Sequence, residues 1–150
     1  MGNLKLTSSA FSDGGEIPRE CGYKHGNEEP PLSSSGIPEG TKSLALIMDD
    51  PDAMEPAGKV WVHWVVWDIL NADGPLITNS GIKGTTDFDE VGYGGPAPPD
   101  KRHTYVFKLY ALDSLPLVTG FGKDTEKTHL EKAMEGHILE QTQLTGTYAP

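Results

Sequence analysis

A mostly antiparallel β fold with one helix towards the C-terminal end is what this sequence predicts. Three observations carry the prediction. Two apolar runs of strand length, Ser43 to Met48 and Val60 to Ile69, are bounded by turn residues. A third run, His103 to Leu112, alternates along its length. Helical spacing appears only once and late, between Thr125 and Glu135.

The elements follow in chain order. Leu4, Leu6 and Ser8 alternate with Lys5 and Thr7, a short half-buried strand. From Phe11 to Glu39 the chain is rich in Gly, Pro, Ser and charge, which reads as loops and short strands. Strict alternation across the second apolar run places Trp61, His63, Val65, Trp67 and Ile69 on one face and Val62, Trp64, Val66 and Asp68 on the other. Both faces are largely apolar, as in a central strand. In the third run His103, Tyr105, Phe107, Leu109 and Ala111 share a face opposite Thr104, Val106, Lys108, Tyr110 and Leu112. The late helix has Leu130, Ala133 and Met134 at i, i+3 and i+4, a start capped by Asp124 or Thr125, and Gly136 to end it. His137 to Tyr148 returns to β composition, with Gly146 read as a break.

Composition excludes several functions. At 150 residues the chain, 1–150, is the length of one domain. Its formal charge is -10, and its twelve Lys and Arg are scattered. Nucleic-acid binding is excluded, because a phosphate-tracking groove needs clustered cations. The same charge repels an anionic membrane surface over about 8 Å in physiological salt. No apolar run approaches the roughly 20 residues of a membrane-spanning helix. The start, Met1-Gly2-Asn3-Leu4-Lys5-Leu6, lacks the order of a signal peptide, and Leu6 stands where a myristoylation signal wants Ser or Thr. A soluble cytoplasmic protein is expected, and the lone Cys21 has no intramolecular disulfide partner.

The chemistry concentrates in a few pieces. Asp50 and Asp52 flank Pro51 directly after an apolar strand, so a carboxylate is held stiffly at a strand end, although Asp-Pro-Asp is also an ordinary turn. His63 lies inside an apolar strand between Trp61 and Trp64, where an imidazole needs partners for both ring nitrogens. A structural histidine bonded to a backbone carbonyl is the alternative. His103 opens its strand on the face of Tyr105. In Gly92-Tyr93-Gly94-Gly95-Pro96-Ala97-Pro98-Pro99 the glycines permit a concave run of amides that favours anions; a plain turn before a polyproline segment is the other reading.

Other constellations are weaker. The Gly-x-x-x-x-Gly-Lys spacing of a nucleotide-binding loop is absent, as is a Gly-x-Ser-x-Gly elbow. Cys21 with His25 has no oxyanion element beside it. Asp50, His63 and His103 lack the local spacing of a metal motif. The acidic stretch Asp87-Phe88-Asp89-Glu90 reads as a solvated loop.

Ile37-Pro38, Ser43-Leu44-Ala45-Leu46, Asp50-Pro51-Asp52-Ala53, His63-Trp64-Val65-Val66, Gly92-Tyr93-Gly94-Gly95-Pro96, Pro98-Pro99, His103, Tyr105 and Gly136-His137-Ile138-Leu139 together resemble the phosphatidylethanolamine-binding proteins. The resemblance is strongest to their bacterial and archaeal members, often called Raf-kinase-inhibitor-like proteins, and covers nearly the whole chain. It implies an antiparallel β-sandwich with short peripheral helices and one C-terminal helix, and a small pocket for phosphate-like anions, including a phosphorylethanolamine headgroup. The matching ligand-binding residues would be Asp50, Asp52, Trp61, His63, Gly94, Gly95, Pro96, His103 and Tyr105. Both histidines would donate N–H bonds to phosphoryl oxygens, the glycine-turn amides would add contacts, and Asp50 would accept a histidine N–H or the proton of a monohydrogen phosphate.

Two positions depart from the family's pattern. Met54 stands where Pro is common, with Pro56 two residues on, so the wall beside the aspartates is expected to be looser. Thr104 stands where Arg is common, so Asp52 lacks a partner unless Arg102 replaces it. The expected function is therefore a small-anion binding module with no cofactor, no metal and no catalytic residues. Regulation of a kinase or a protease through an unidentified protein partner is the second reading, with the pocket secondary. A hydrolase using the Asp-His-His cluster is the third. The resemblance also suggests a homodimer.

Overall fold

In the computed structural model, which describes residues 2–117 and 120–150, two sheets stack on one core. Met1, where the N-terminal reading begins, lies outside the described residues. The small sheet has the order β1 (Lys5–Thr7), β3 (Ser33–Ser35), β6 (Gly74–Pro75). The large sheet runs β2 (Gly15–Glu16), β9 (Ile138–Tyr148), β8 (His103–Leu112), β4 (Ser43–Asp50), β5 (Trp61–Ile69), β7 (Ile82–Lys83). All pairings are antiparallel except that of β2 with β9. The helices are α1 (Met54–Ala57) and α2 (Lys127–Met134). No helix among the described residues is long and apolar enough to cross a membrane.

The centre of the large sheet is where the apolar runs went. β4 is buried along its whole length, and its alternation sends Leu44, Leu46 and Met48 to one side and Ala45 and Ile47 to the other. The first side meets Leu4, Leu6, Leu32 and Leu76 of the small-sheet layer. The second is closed by Leu130 and Met134 of α2 and by Leu117. Two covered faces explain why these strands read as continuous apolar runs rather than as half-polar ones. The faces predicted for β8 are observed, with Tyr105, Phe107, Leu109 and Ala111 towards the small sheet and Tyr110 and Leu112 towards α2.

Strict alternation fails in β5. Met48 pairs with Trp64 and Asp49 with Val62, so His63 is the extra residue of a β-bulge, and a second register shift lies between Leu44 and Leu46. Asp68, at φ +55, belongs to that second irregularity. Val62, Val65 and Trp67 consequently face α2, while Trp64, Val66 and Ile69 face the small sheet. The bulge also turns His63 to the side of Tyr105, with ring centroids 5.2 Å apart.

Two further expectations are corrected. Gly146 does not break its strand: β9 continues through it opposite Tyr105, and a Cβ there would collide with Ile17 and Phe11. The late helix begins at Lys127 with Glu126 as its cap in place of Asp124 or Thr125, and the Glu126 amide donates to His129 Nδ1 at 3.0 Å.

Candidate functional site

β4 ends in two adjacent carboxylates that alternation sends to opposite faces of the sheet. Asp49 turns to the α2 side and accepts from Lys127 Nζ at 2.7 Å and Lys108 Nζ at 3.2 Å. Asp50 turns the other way, into a cleft of about 200 Å³ lined by Asp50, Trp61, His63, Phe88, His103 and Tyr105. Ala53, Pro56, Ala57, Ala97 and Pro99 complete its rim. A volume of that size equals about half a dozen waters at their share of the liquid.

Asp50 is 3% exposed and every oxygen is used. Oδ1 accepts the Asp52 amide at 2.9 Å, which caps the 3₁₀ turn Pro51–Ala53, and Oδ2 accepts His103 Nδ1–H at 2.6 Å. Burial raises the Asp50 pKa and outweighs the lowering effect of His103. On the far side of the same ring, His103 Nε2–H donates to Asp100 Oδ1 at 2.7 Å. Burial opposes a charge on His103, but two carboxylate hydrogen bonds prevail and raise its pKa, which favours the imidazolium form between the two carboxylates.

His63 is held in the other state. Its Nδ1–H donates to the Gly94 carbonyl at 2.7 Å while the Gly94 amide donates to the His63 carbonyl at 2.8 Å. Burial pushes its pKa down to about 4, so the ring is neutral and Nε2 carries a lone pair. Tyr105 is fully buried, and burial followed by the nearby Asp50 charge raises its pKa, so its hydroxyl stays protonated. The Ala97 amide and the Asp50 carboxylate both lie near that hydroxyl. Neither completes a hydrogen bond of ordinary geometry with it, and the indole N–H of Trp61 is likewise buried and unpartnered. Unpaired buried donors each cost about 1–3 kcal/mol; the indole N–H groups of Trp64 and Trp67 are also unpartnered in the core, and what sets Tyr105 and Trp61 apart is that both residues line one cleft.

Five of the nine residues expected to bind an anion, namely Asp50, Trp61, His63, His103 and Tyr105, line this cleft. The other four stand behind it. Asp52 accepts the Thr104 amide at 2.8 Å, tying the 3₁₀ turn to β8. Gly94 and Gly95 give their amides to the His63 carbonyl and to Asn27 Oδ1, leaving no concave nest of free N–H groups. Their glycine identity has a packing cause: a Cβ at Gly94 would strike the Phe88 ring, and one at Gly95 the Cys21 carbonyl. Pro96 offers its carbonyl to the Tyr23 amide.

The expected role of Arg102 is overturned, because its Nη1 donates to Glu16 Oε1 and Thr147 Oγ1, both at 3.1 Å, and not to Asp52. Nor do the histidines present the expected N–H pair, since both N–H groups of His103 and the Nδ1–H of His63 are already committed. Met54 points outward at 58% exposure, and Pro56 forms the wall beside the aspartates. Burial lifts the Cys21 thiol to about 11, which removes it as a nucleophile.

The sequence reading missed Phe88, Ala97 and Asp100. Phe88 sits in the stretch read as a solvated loop, yet it stacks on Tyr23 at 4.2 Å and meets Trp61 and His63 edge-on at 5.6 and 5.4 Å. The flanking Asp87 anchors it by accepting the Val62 amide at 2.7 Å and Lys59 Nζ at 2.8 Å. An aromatic ring alone among acids was the available signal. Asp100 gave none, since its contact depends on how the proline loop meets β8. Among the described residues, no group of three or more His, Cys, Asp or Glu is arranged to hold a metal ion.

The architecture is thus a two-sheet β protein with a small, aromatic-walled cleft at one end of its central strands. A family model for phosphatidylethanolamine-binding protein matches residues 7–149. The chain belongs to the phosphatidylethanolamine-binding protein family. It is 40% identical over 155 residues to a "UPF0098 protein" of Methanothermobacter thermautotrophicus, covering 97% of this chain and 98% of that one. A crystal structure of a phosphatidylethanolamine-binding protein homologue from Chlamydia trachomatis superposes with a TM-score of 0.84 at 35% identity, covering 99% of this chain and 98% of that one. That of E. coli YbcL, described as a member of the mammalian family, gives 0.86 at 27% identity with 98% of each chain covered.

Proposed function

We propose that this protein binds a small phosphate-type anion, inorganic phosphate or a phosphomonoester headgroup, in the cleft between β4, β5 and β8. The observation that carries the reading is the pair of buried donors, Tyr105 O–H and Trp61 N–H, that complete no hydrogen bond of ordinary geometry and belong to residues lining one cleft together with His103. A phosphoryl group offers several acceptor oxygens at once, which is the chemistry that two neighbouring unpaired donors call for. His63 adds a preference. With Nδ1–H committed and Nε2 unprotonated, it accepts a hydrogen bond, so it matches a phosphoryl group that still carries one proton. Trp61, Phe88, Pro56 and Pro99 supply apolar walls that exclude water and strengthen these contacts.

Isothermal titration with sodium phosphate and with phosphorylethanolamine, against sodium chloride as control, tests the reading. Saturable heat in the millimolar range or tighter is expected at pH 6, with strong weakening in Trp61→Ala. Heats no larger than those of chloride would overturn it.

A further inference from the structure

The polar groups of the cleft divide into those a ligand could use as they stand and those already used. His103 lines the cleft, and its Nε2–H is among the used donors: its acceptor is the carboxylate of a residue just outside the lining. That residue, Asp100, reaches Nε2 from the loop that follows Pro98-Pro99, at 2.7 Å. The two carboxylates on this ring differ in one respect. The Asp50 side chain is 4% exposed, whereas that of Asp100 is 37% exposed.

That difference decides which bond can be exchanged. Removing Asp50 from the ring would leave a buried carboxylate without its cation, a severe cost in a dry site. Releasing Asp100 returns its carboxylate to water, which replaces the lost hydrogen bond at small net cost. Charge points the same way. With His103 protonated, the ring between two carboxylates sums to about -1, which repels an incoming anion, and release of Asp100 brings the remaining His103–Asp50 pair to about zero.

We propose that Asp100 is a displaceable internal anion at the edge of the cleft, a carboxylate that a phosphoryl oxygen must replace on His103 Nε2–H before the site is fully engaged. This inference rests on the anion-binding reading and deepens it, because it names the residue that sets the affinity and selectivity of that site. Asp100 then acts as a threshold: an anion must out-compete a tethered carboxylate. A phosphoryl group does so by offering further oxygens to Tyr105 and Trp61 and a proton to His63. A simple carboxylate can use fewer of these groups, so it gains less on replacing Asp100. Phosphate over acetate is the resulting selectivity.

The test compares the wild type with Asp100→Ala and Asp100→Asn, using inorganic phosphate and acetate as probes in calorimetry and following the His103 ring by NMR. Deleting one charge-assisted hydrogen bond from the competing state predicts phosphate binding about tenfold tighter in Asp100→Ala and about threefold tighter in Asp100→Asn, whose amide oxygen still accepts weakly. Acetate should gain at least as much as phosphate, which narrows the selectivity. In the wild type, phosphate should shift the Asp100 carboxyl carbon as that group is released to water.

Equal phosphate affinity in all three proteins, or weaker binding in Asp100→Ala, would overturn the inference while leaving the anion-binding reading in place. Weaker binding in particular would make Asp100 a residue that positions His103. Absence of phosphate binding in all three would overturn both. Thermal unfolding of each variant guards against loss of fold, and Asp100→Asn, which keeps the side chain's shape, stands in if Asp100→Ala does not fold.

Discussion

Asp49 and Asp50 are neighbours on one strand, almost equally buried at 2% and 3%, and they end in opposite kinds of surroundings. Asp49 closes an ion cluster with Lys108 of β8 and Lys127 at the start of α2, so its charge fastens the helix to the sheet. Asp50 orients a histidine at the wall of a cleft where two donors are left unpaired. Burial of a charge therefore does not distinguish a site from a strut. What distinguishes them is what stands beside the carboxylate: Asp49 holds two lysines in contact with it, whereas Asp50 lines a cleft with Tyr105 and Trp61, whose donors have no partner.

The largest effect that could break this contrast is a pH effect on the cleft side. His63 has its pKa depressed from 6.5 to about 4, so between those values the unfolded chain binds a proton that the folded protein refuses. Stability should fall as pH drops through that window, by up to about 3 kcal/mol from this residue, and level off below it. His103 has the opposite sign. Its raised pKa means its contribution is present below the ordinary histidine value and is lost as pH rises through the raised one. Urea unfolding across pH 4–7.5 for the wild type and His63→Gln should show the acid-side slope reduced in the variant; an identical slope would mean that His63 is not held neutral.

Asp49→Ala comes next. It leaves two lysines facing a buried surface, but both are partly exposed and can reach water, so the loss should be about 2 kcal/mol, less than the full penalty of an orphaned buried charge. Phosphate affinity of the folded variant should stay within about twofold. A large loss of affinity would erase the division between the two sides.

Tyr105→Phe separates them from the other direction. Removing a buried hydroxyl that has no partner should leave stability unchanged or raise it by about 1 kcal/mol, while phosphate binding weakens about tenfold. Opposite signs for folding and binding are the mark of a functional orphan; a fall in both would make the hydroxyl structural. The smallest effect is expected for Arg102→Ala. Its exposed pair with Glu16 should contribute no more than about 0.5 kcal/mol, and anion affinity should not change.

Much of this contrast was legible in the sequence, for identifiable reasons. The apolar runs announced β4, β5 and β8, because strands covered on both faces have no polar side to interrupt them. His63 stood out because an imidazole inside such a strand must find partners or a ligand, Asp50 because Pro51 stiffens a carboxylate at a strand end, and His103 and Tyr105 through the family resemblance. The bulge at His63 was not legible: it depends on the pairing of Asp49 with Val62, and period-2 reading assumes that no residue is inserted. The glycines misled for a related reason. Gly94 and Gly95 are required by a ring and a carbonyl brought close from Phe88 and Cys21, distant positions that local sequence does not connect. Asp49 itself drew no attention, since its two lysines come from β8 and α2.

The most direct measurement is a site-resolved NMR titration with inorganic phosphate, following the His63 and His103 rings, the Ala97 amide, the Trp61 indole N–H, and the side-chain ammonium groups of Lys108 and Lys127. The account predicts saturable shifts with one common dissociation constant at the four cleft positions and none at the two lysines. Shifts confined to the lysines, or no saturable shift in the cleft, would contradict it.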